Sequence, residues 1–223
     1  RALAYQRAKN VSDTNAFGTL ENLYQSGKEW FLQSTLSYPL KETNFRILVG
    51  GERCLQPYSM SVFNISAMSF GSLSAAAIEA LNQGAKLGGF AHDTGEGAIS
   101  PYHKKHGGDL IWELGTGYFG CRNHNGTFSA EKFAERSRIE QVKMIEIKLS
   151  QGAKPGKGGV LPKEKITPEI AETRDVPMDA DCVSPASHSA FTTPREMVQF
   201  WQQLRELSGG KPVGFKLCVG QPW

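Results

Sequence analysis

Two lysines occupy strand positions that disfavour a charge. In 145–149, "IEIKL", Ile145, Ile147 and Leu149 share one face of an alternating strand and leave Glu146 and Lys148 on the other. In 214–219, "GFKLCV", Phe215, Leu217 and Val219 share a face opposite Lys216. Where the apolar set packs on helices, the other set points inward, and an inward ammonium needs an anionic partner. That partner is either a carboxylate of the chain, Glu146 or Glu96 beside Lys148, or a ligand with negative charge. Lys143, Lys148, Lys154 and Lys157 crowd into one short span, which favours a local anion site. Glu96 has glycine on both sides in "DTGEGAIS" (93–100). Alone it reads as a solvated turn carboxylate as readily as a site acid.

Two glycine motifs near these residues fail as nucleotide signatures. "GTGYFG" (115–120) has the spacing of a dinucleotide fingerprint, but its glycines run into the turn material "CRNHNGT" instead of opening a helix. "GAKPGKGG" (152–159) has three residues between its first two glycines, not four, and a glycine after Lys157. It is not a phosphate loop. His103 and His106 in "YHKKHGG" read as loop surface, and His188 in "SPASHSAF" as a residue near the site.

The elements that must position these residues alternate. A polar helix in 2–10 and an irregular stretch come first, then a hairpin in "FRILVGGERCLQ" (45–56) turning at Gly50-Gly51. "VFNISAMSF" (62–70) reads as a buried strand, and 71–89 as an alanine-rich helix that starts at a serine and stops at Gly88-Gly89. Strands follow in 90–97, 109–117, 144–150 and 211–220, with a helix in 129–138. The helix beginning at Thr193 is the best signed. Thr193 caps it, Pro194 takes the first turn, and Glu196 completes a capping box.

Strands alternating with helices predict βαβ units and a parallel sheet. Several strands end in polar, glycine-rich loops: "SFGS", "TGEG", "GTGYFG" and "SQGAKPGKGG". One wall of such loops is the active face of a (β/α)8 TIM barrel, which needs eight strands and typically about 250 residues. The expectation is α/β: about the first five strands of a barrel in 59–223, preceded by a helix-and-hairpin adaptor in 1–58.

Composition bounds the function. The chain of 223 residues is 39% hydrophobic and 21% charged, and its net charge of +3 is too small to argue for nucleic acid. Four scattered cysteines without a C-x-x-C pair argue against a zinc site or disulfide scaffold and for a reducing, cytoplasmic setting. Sequons at Asn10, Asn64 and Asn125 are weak evidence for secretion, because Asn64 lies in an apolar run. No window reaches the ~18 apolar residues of a membrane span. The chain opens on Arg1 rather than Met, which leaves an upstream segment, a membrane segment included, open.

Taken together, "ISAMSFGSLS" (65–74), "TGEG" (94–97), "IKLSQGAKPGKGG" (147–159), "SPASH" (184–188) and "GFKLCVG" (214–220) resemble consecutive motifs of the FMN-binding barrel of glutamate synthase. They are most similar to its stand-alone relatives without a glutaminase domain. The resemblance implies FMN at the barrel mouth, contacted by Ala67, Met68, Ser69, Thr94, Thr116 and Gln151. Lys216 would lie near flavin N1 and O2. It implies 2-oxoglutarate or its imine held by Lys148, Lys154 and Arg174, with Glu96 and Lys148 as the catalytic pair and Glu96 orienting ammonia or moving protons. Reduced FMN would pass a hydride to the imine carbon, giving glutamate. The implied partners are a 2-oxo acid, ammonia and an electron donor, ferredoxin or an NAD(P)H-linked reductase. Self-association is left open. An iron–sulfur cluster would take its cysteines from beyond Trp223, as FMN would its phosphate loops.

Two positions depart from the family. Val160 stands where glutamate synthases carry a substrate-binding glutamine, and "GEGA" replaces "GEGG". Val160 keeps open a flavin reductase for a different 2-oxo or 2-imino acid, and the missing strands keep open a non-catalytic truncated barrel that binds an anionic metabolite or serves as part of an assembly.

Overall fold

Ile145 and Ile147 are completely buried, and the strand that carries them lies at the centre of the fold. The computed structural model describes residues 2–12, 22–29, 35–36, 44–149 and 158–219, in two units, 1–43 and 44–223. The first contains helix α1 (Ala2–Ala8), the polar helix expected there.

The second unit begins with an antiparallel pair, β1 (Arg46–Val49) and β2 (Tyr58–Ser61). The hairpin does not close at Gly50-Gly51. The Cys54 amide turns back to the Gly51 carbonyl, and the Gln56 amide donates to the carbonyl of Gly210, so 50–57 bonds to a distant turn instead of to its own ladder. Helix α2 (Ala75–Gly88) starts at Ser74, whose hydroxyl accepts from the Ala77 amide, and ends on Gly89 in the left-handed region. β3 (His92–Asp93), α3 (Pro101–Lys104), β4 (Leu110–Leu114), α4 (Ala130–Ser137) and β5 (Val142–Lys148) follow. A short antiparallel pair, β6 (Val160–Leu161) with β7 (Cys182–Val183), encloses α5 (Pro168–Arg174). Helix α6 (Pro194–Leu207) has the predicted Thr193–Glu196 capping box, and β8 (Val213–Lys216) closes the order.

The central sheet, β3-β4-β5-β8, is parallel throughout. The architecture is mixed α/β, with an order and polarity compatible with part of a (β/α)8 barrel. Residues 62–70, expected as a buried strand, contribute among the described residues only isolated parallel bridges, Ile65 to His92 and Phe70 to Leu73. At the start of this run Asn64 is the reason. Its side chain donates to the Ser61 carbonyl and accepts from the Ala91 amide, taking the place of ladder bonds, while Val62 and Phe63 stay exposed.

The two faces of the sheet differ. On one, Leu110, Trp112, Leu114, Val142, Ile145, Ile147 and Val213 pack against Phe133 of α4 and Phe200 and Leu204 of α6. Trp112 stacks on Phe133 with ring centroids 5.1 Å apart. On the other, the strands' N-terminal ends are apolar, where Ala91 and Ile111 pack with Tyr58, Met60 and Met144. Their C-terminal ends are charged, with Asp93, Glu113, Glu146, Lys148 and Lys216. Among the described residues, no helix is long and apolar enough to cross a membrane.

The helix-facing core sets a first prediction. Leu204→Ala removes a fully buried side chain and should lower unfolding free energy by about 2–5 kcal/mol. Leu87→Ala, on an exposed side chain, should change it by about 0.5 kcal/mol or less. Urea unfolding of the two variants checks the difference.

Candidate functional site

Pairing register decides which charges meet. Glu113 lies opposite Glu146, and Lys148 opposite Lys216, so like charges stand abreast on neighbouring strands. Attraction must therefore run diagonally. Glu113 resolves it with its two oxygens: Oε2 accepts from the Lys216 ammonium, and Oε1 lies 3.7 Å from Lys148 Nζ. Lys148 also pairs with Glu96 at 3.2 Å, and Lys216 with Glu146 at 3.9 Å. Gly214, opposite Glu146, leaves that face of β8 without a side chain between them.

Burial sets the electrostatics. The Glu113 side chain is 1% exposed, and its carboxyl is pushed up by desolvation against the pull of Lys216 and Lys148. Asp93 is pushed above the usual carboxylate range by burial, with Glu113 and Glu146 adding repulsion. Burial alone would lower Lys216, but its hydrogen bond and charge contact with Glu113 hold it above the ordinary lysine value. Carboxylate oxygens of Asp93, Glu113 and Glu146 lie within 4.8 Å of one another, a spacing a divalent cation could bridge. Two ammonium groups already stand on these carboxylates, so a further cation would meet their charge.

The glycine loops shape the space around Glu96. A Cβ on Gly115 would stand 2.9 Å from Glu96 Oε2, and one on Gly159 2.5 Å from Oε1. The carboxylate lies between the backbone of Gly115 and that of Gly159, where an added Cβ would crowd it. It is a paired acid rather than a solvated turn residue.

The other residues singled out in the sequence hold the loops. Met68 donates its amide to the Asp93 carbonyl, and its own carbonyl accepts from His103 Nε2 at 3.0 Å. His103 is not loop surface. It is fully buried at the third position of α3, where its Nδ1 accepts from the amide and hydroxyl of Ser100. Ser69 bonds through its carbonyl to the Ser72 and Leu73 amides, with Ala67 half-buried beside this turn. The Thr94 hydroxyl donates to the Gly95 carbonyl and accepts from the Glu113 amide. Thr116 donates to the Pro185 carbonyl at 2.6 Å, joining the loop after β4 to "SPASH". His188 Nε2 donates to the Lys148 carbonyl at 2.8 Å, which leaves Nδ1 to accept from the Tyr118 hydroxyl.

Arg174 makes no ion pair among the described residues. It is buried against Gly97, donates to the Phe70 carbonyl at 2.9 Å, and lies over the Phe119 ring. Val160 is half-exposed on β6, next to Gly159. Gln151, Lys154 and Lys157 lie outside the described residues. Sequence reasoning passed over Glu113 and Asp93. The signal for Glu113 was the one that marked Lys148, because "LIWEL" sets it opposite Leu110, Trp112 and Leu114.

A family model for the conserved region in glutamate synthase matches residues 18–223. The chain belongs to the glutamate synthase family. It is 44% identical over 177 residues to the glutamate synthase large subunit-like protein YerD of Bacillus subtilis (strain 168), covering 78% of this chain and 33% of that one. It is 36% identical over 155 residues to an archaeal-type glutamate synthase (NADPH) of Thermotoga sp. (strain RQ2), covering 69% and 28%. A glutamate synthase large subunit-like protein of Rhizobium meliloti (strain 1021) aligns over 97% of this chain and 48% of its own length, at 27% identity. The chain thus spans between about a quarter and a half of these glutamate synthase relatives.

The buried imidazoles behind the site give a pH prediction. Burial lowers both His92 and His103 from the ordinary 6.5 to about 4, so both are neutral in the fold. Between pH 6.5 and 4 the unfolded chain binds protons that the folded chain does not. The histidines' contribution to stability should be fully present above pH 6.5 and be lost as the pH drops toward 4, by on the order of a few kcal/mol, while the raised carboxyls of Asp93 and Glu113 act in the opposite sense. His103→Gln should flatten part of that decline in urea unfolding measured across the range.

Proposed function

We propose that the chain is the flavin-site and substrate-site part of an FMN-dependent oxidoreductase that converts 2-oxoglutarate and ammonia, through 2-iminoglutarate, to glutamate. The observation that carries this reading is Lys148, held between Glu96 and Glu113 where the parallel strands end in glycine-rich loops. In this reading the parallel sheet is the front part of a (β/α)8 barrel with its mouth at those loops, a domain of 59–223 that follows a 1–58 adaptor.

The residues present fit the isoalloxazine end of FMN. Reduction places negative charge on the N1–O2 edge of such a ring, and Lys216 supplies a compensating charge, its side chain 33% exposed and its ammonium held cationic by Glu113. The backbone of Ala67–Ser69 and the turn at Thr94 and Thr116 are fixed by the hydrogen bonds described above, and Gln151 would join them. FMN, when bound, supplies the hydride. Lys148 and Lys154, with Arg174 as a buried positive charge behind them, hold the carboxylates of the substrate. Glu96 orients the nitrogen nucleophile and moves its protons. The NADPH in the names of several relatives supports an NADPH-linked electron donor, with ferredoxin as the other candidate. An iron–sulfur cluster and a cytoplasmic setting accompany the proposal.

Val160 favours a second reading, reduction of a less polar 2-oxo or 2-imino acid. Valine offers no hydrogen bond to a carboxylate, and losing a bond to a charged group costs about 1.5–3 kcal/mol, or roughly a hundredfold in affinity at its upper end. Turnover of the full-length protein with ammonia and a panel of 2-oxo acids separates the two. If 2-oxoglutarate is the substrate, Val160→Gln should raise its turnover. If a less polar acid is, the same change should impair that acid and leave 2-oxoglutarate negligible. Absence of turnover with any member, in a protein purified without flavin, would refute both.

The two basic residues flanking the glycine loop should behave differently. Lys148→Ala should raise the Michaelis constant by an amount equivalent to about 2–5 kcal/mol, and Lys157→Ala by about 0–1 kcal/mol. Equal effects would contradict the role given to Lys148.

A further inference from the structure

We propose that Glu113 is the positioning residue of the site, a single buried carboxylate that fixes Lys148 and Lys216 in place and keeps Lys216 cationic. The roles of the two lysines rest on the function proposed above, but the coupling between them rests on geometry alone. Each oxygen of Glu113 faces a different ammonium, and no other described carboxylate pairs with both lysines. Two lysines abreast on adjacent strands repel at short range, and an anion between them turns that repulsion into two attractions. The substrate-side charge and the flavin-side charge are then set by one group.

The charged neighbours on every adjoining element agree with this assignment. They are Asp93 on β3, Glu96 in the loop after it, Glu146 and Lys148 on β5, and Lys216 on β8. Four carboxylates and Glu113's two ammonium partners cannot all be charged in a buried cluster without a net negative excess. Although the Gly95 amide on its Oδ1 favours the charged form, Asp93 has no ammonium partner within ion-pair distance among the described residues and relieves part of the excess. Its upward shift points the same way. Glu113 thereby stays the anion that the lysines need. Thr94 serves the arrangement too, because its hydroxyl accepts from the Glu113 amide and sets where β4 presents the carboxylate.

Trace acylation of the full-length protein across pH 7–12, read by mass spectrometry at Lys148 and Lys216, tests the proposal without flavin or substrate. In the wild type, Lys216 should label with a midpoint above the ordinary lysine value of about 10.4. Glu113→Gln should lower that midpoint by at least about one unit, giving roughly tenfold more labelling at pH 8–9. Glu113→Asp should retain part of the wild-type midpoint, and Glu146→Gln should shift it less than Glu113→Gln does. An unchanged Lys216 profile in folded Glu113→Gln, or an equal shift from Glu146→Gln, would overturn the proposal. Should Glu113→Gln fail to fold, a wild-type Lys216 midpoint below about 10.4 would overturn it as well. Failure of turnover with every 2-oxo acid would sink the functional reading and leave these profiles intact, so the two failures are distinguishable.

Discussion

The Glu113 carboxylate is the constraint on which the rest of the site depends. A parallel register that sets Glu113 beside Glu146 and Lys148 beside Lys216 would be unfavourable if each strand were charged independently. The cluster is stable because one carboxylate reaches across β5 to the far lysine while meeting the near one with its other oxygen. Breaking a buried pair by removing one partner typically costs 3–5 kcal/mol, since it strands the other charge away from water. That asymmetry ties the lysines' function to the fold: a site that must hold cations for a ligand has to hold their anions first.

The same sheet separates stability from chemistry by position. One face is committed to helices α4 and α6 through Trp112, Ile145, Ile147 and Leu204. The other grades from Ile111 and Met144, closed by the hairpin's Tyr58 and Met60, to the charged ends of the strands. Glycine-rich loops then come close enough to Glu96 that a methyl group at Gly115 or Gly159 would collide with it. His103 and His188, both buried and neutral in role, hold the Met68 and Lys148 carbonyls from behind. The loops are thus held in place by buried partners on the structural side of the sheet.

Much of this was legible in residue alternation. Lys148 and Lys216 could be placed opposite an apolar set because a strand has only two faces, and α6 could be bounded because Thr193, Pro194 and Glu196 each act within one turn. Glu113 was equally readable by alternation, since "LIWEL" sets it opposite Leu110, Trp112 and Leu114 as "IEIKL" sets Lys148. His103 was misplaced because a capping box is ordinarily closed by glutamate or glutamine, and here an imidazole does that work. The strand expected at 62–70 depended on an apolar run, and at its start the Asn64 side chain takes the Ala91 amide and the Ser61 carbonyl, so regular pairing is reduced to isolated bridges. Arg174 could be aligned with a family motif, yet its burial against Gly97 and Phe119 follows from tertiary packing, which no local pattern encodes.

The most direct test of the account is a single-turnover measurement on the full-length protein. The flavin is reduced anaerobically, mixed with 2-oxoglutarate and ammonia together or separately, and followed by its absorbance. The account predicts rapid reoxidation with glutamate formed in proportion only when both are present, or with another 2-oxo acid if Val160 marks a different substrate, and loss of that reoxidation in Lys148→Ala. A flavin that reoxidises at the same rate in Lys148→Ala as in the wild type, or a full-length protein that binds no flavin, would contradict it.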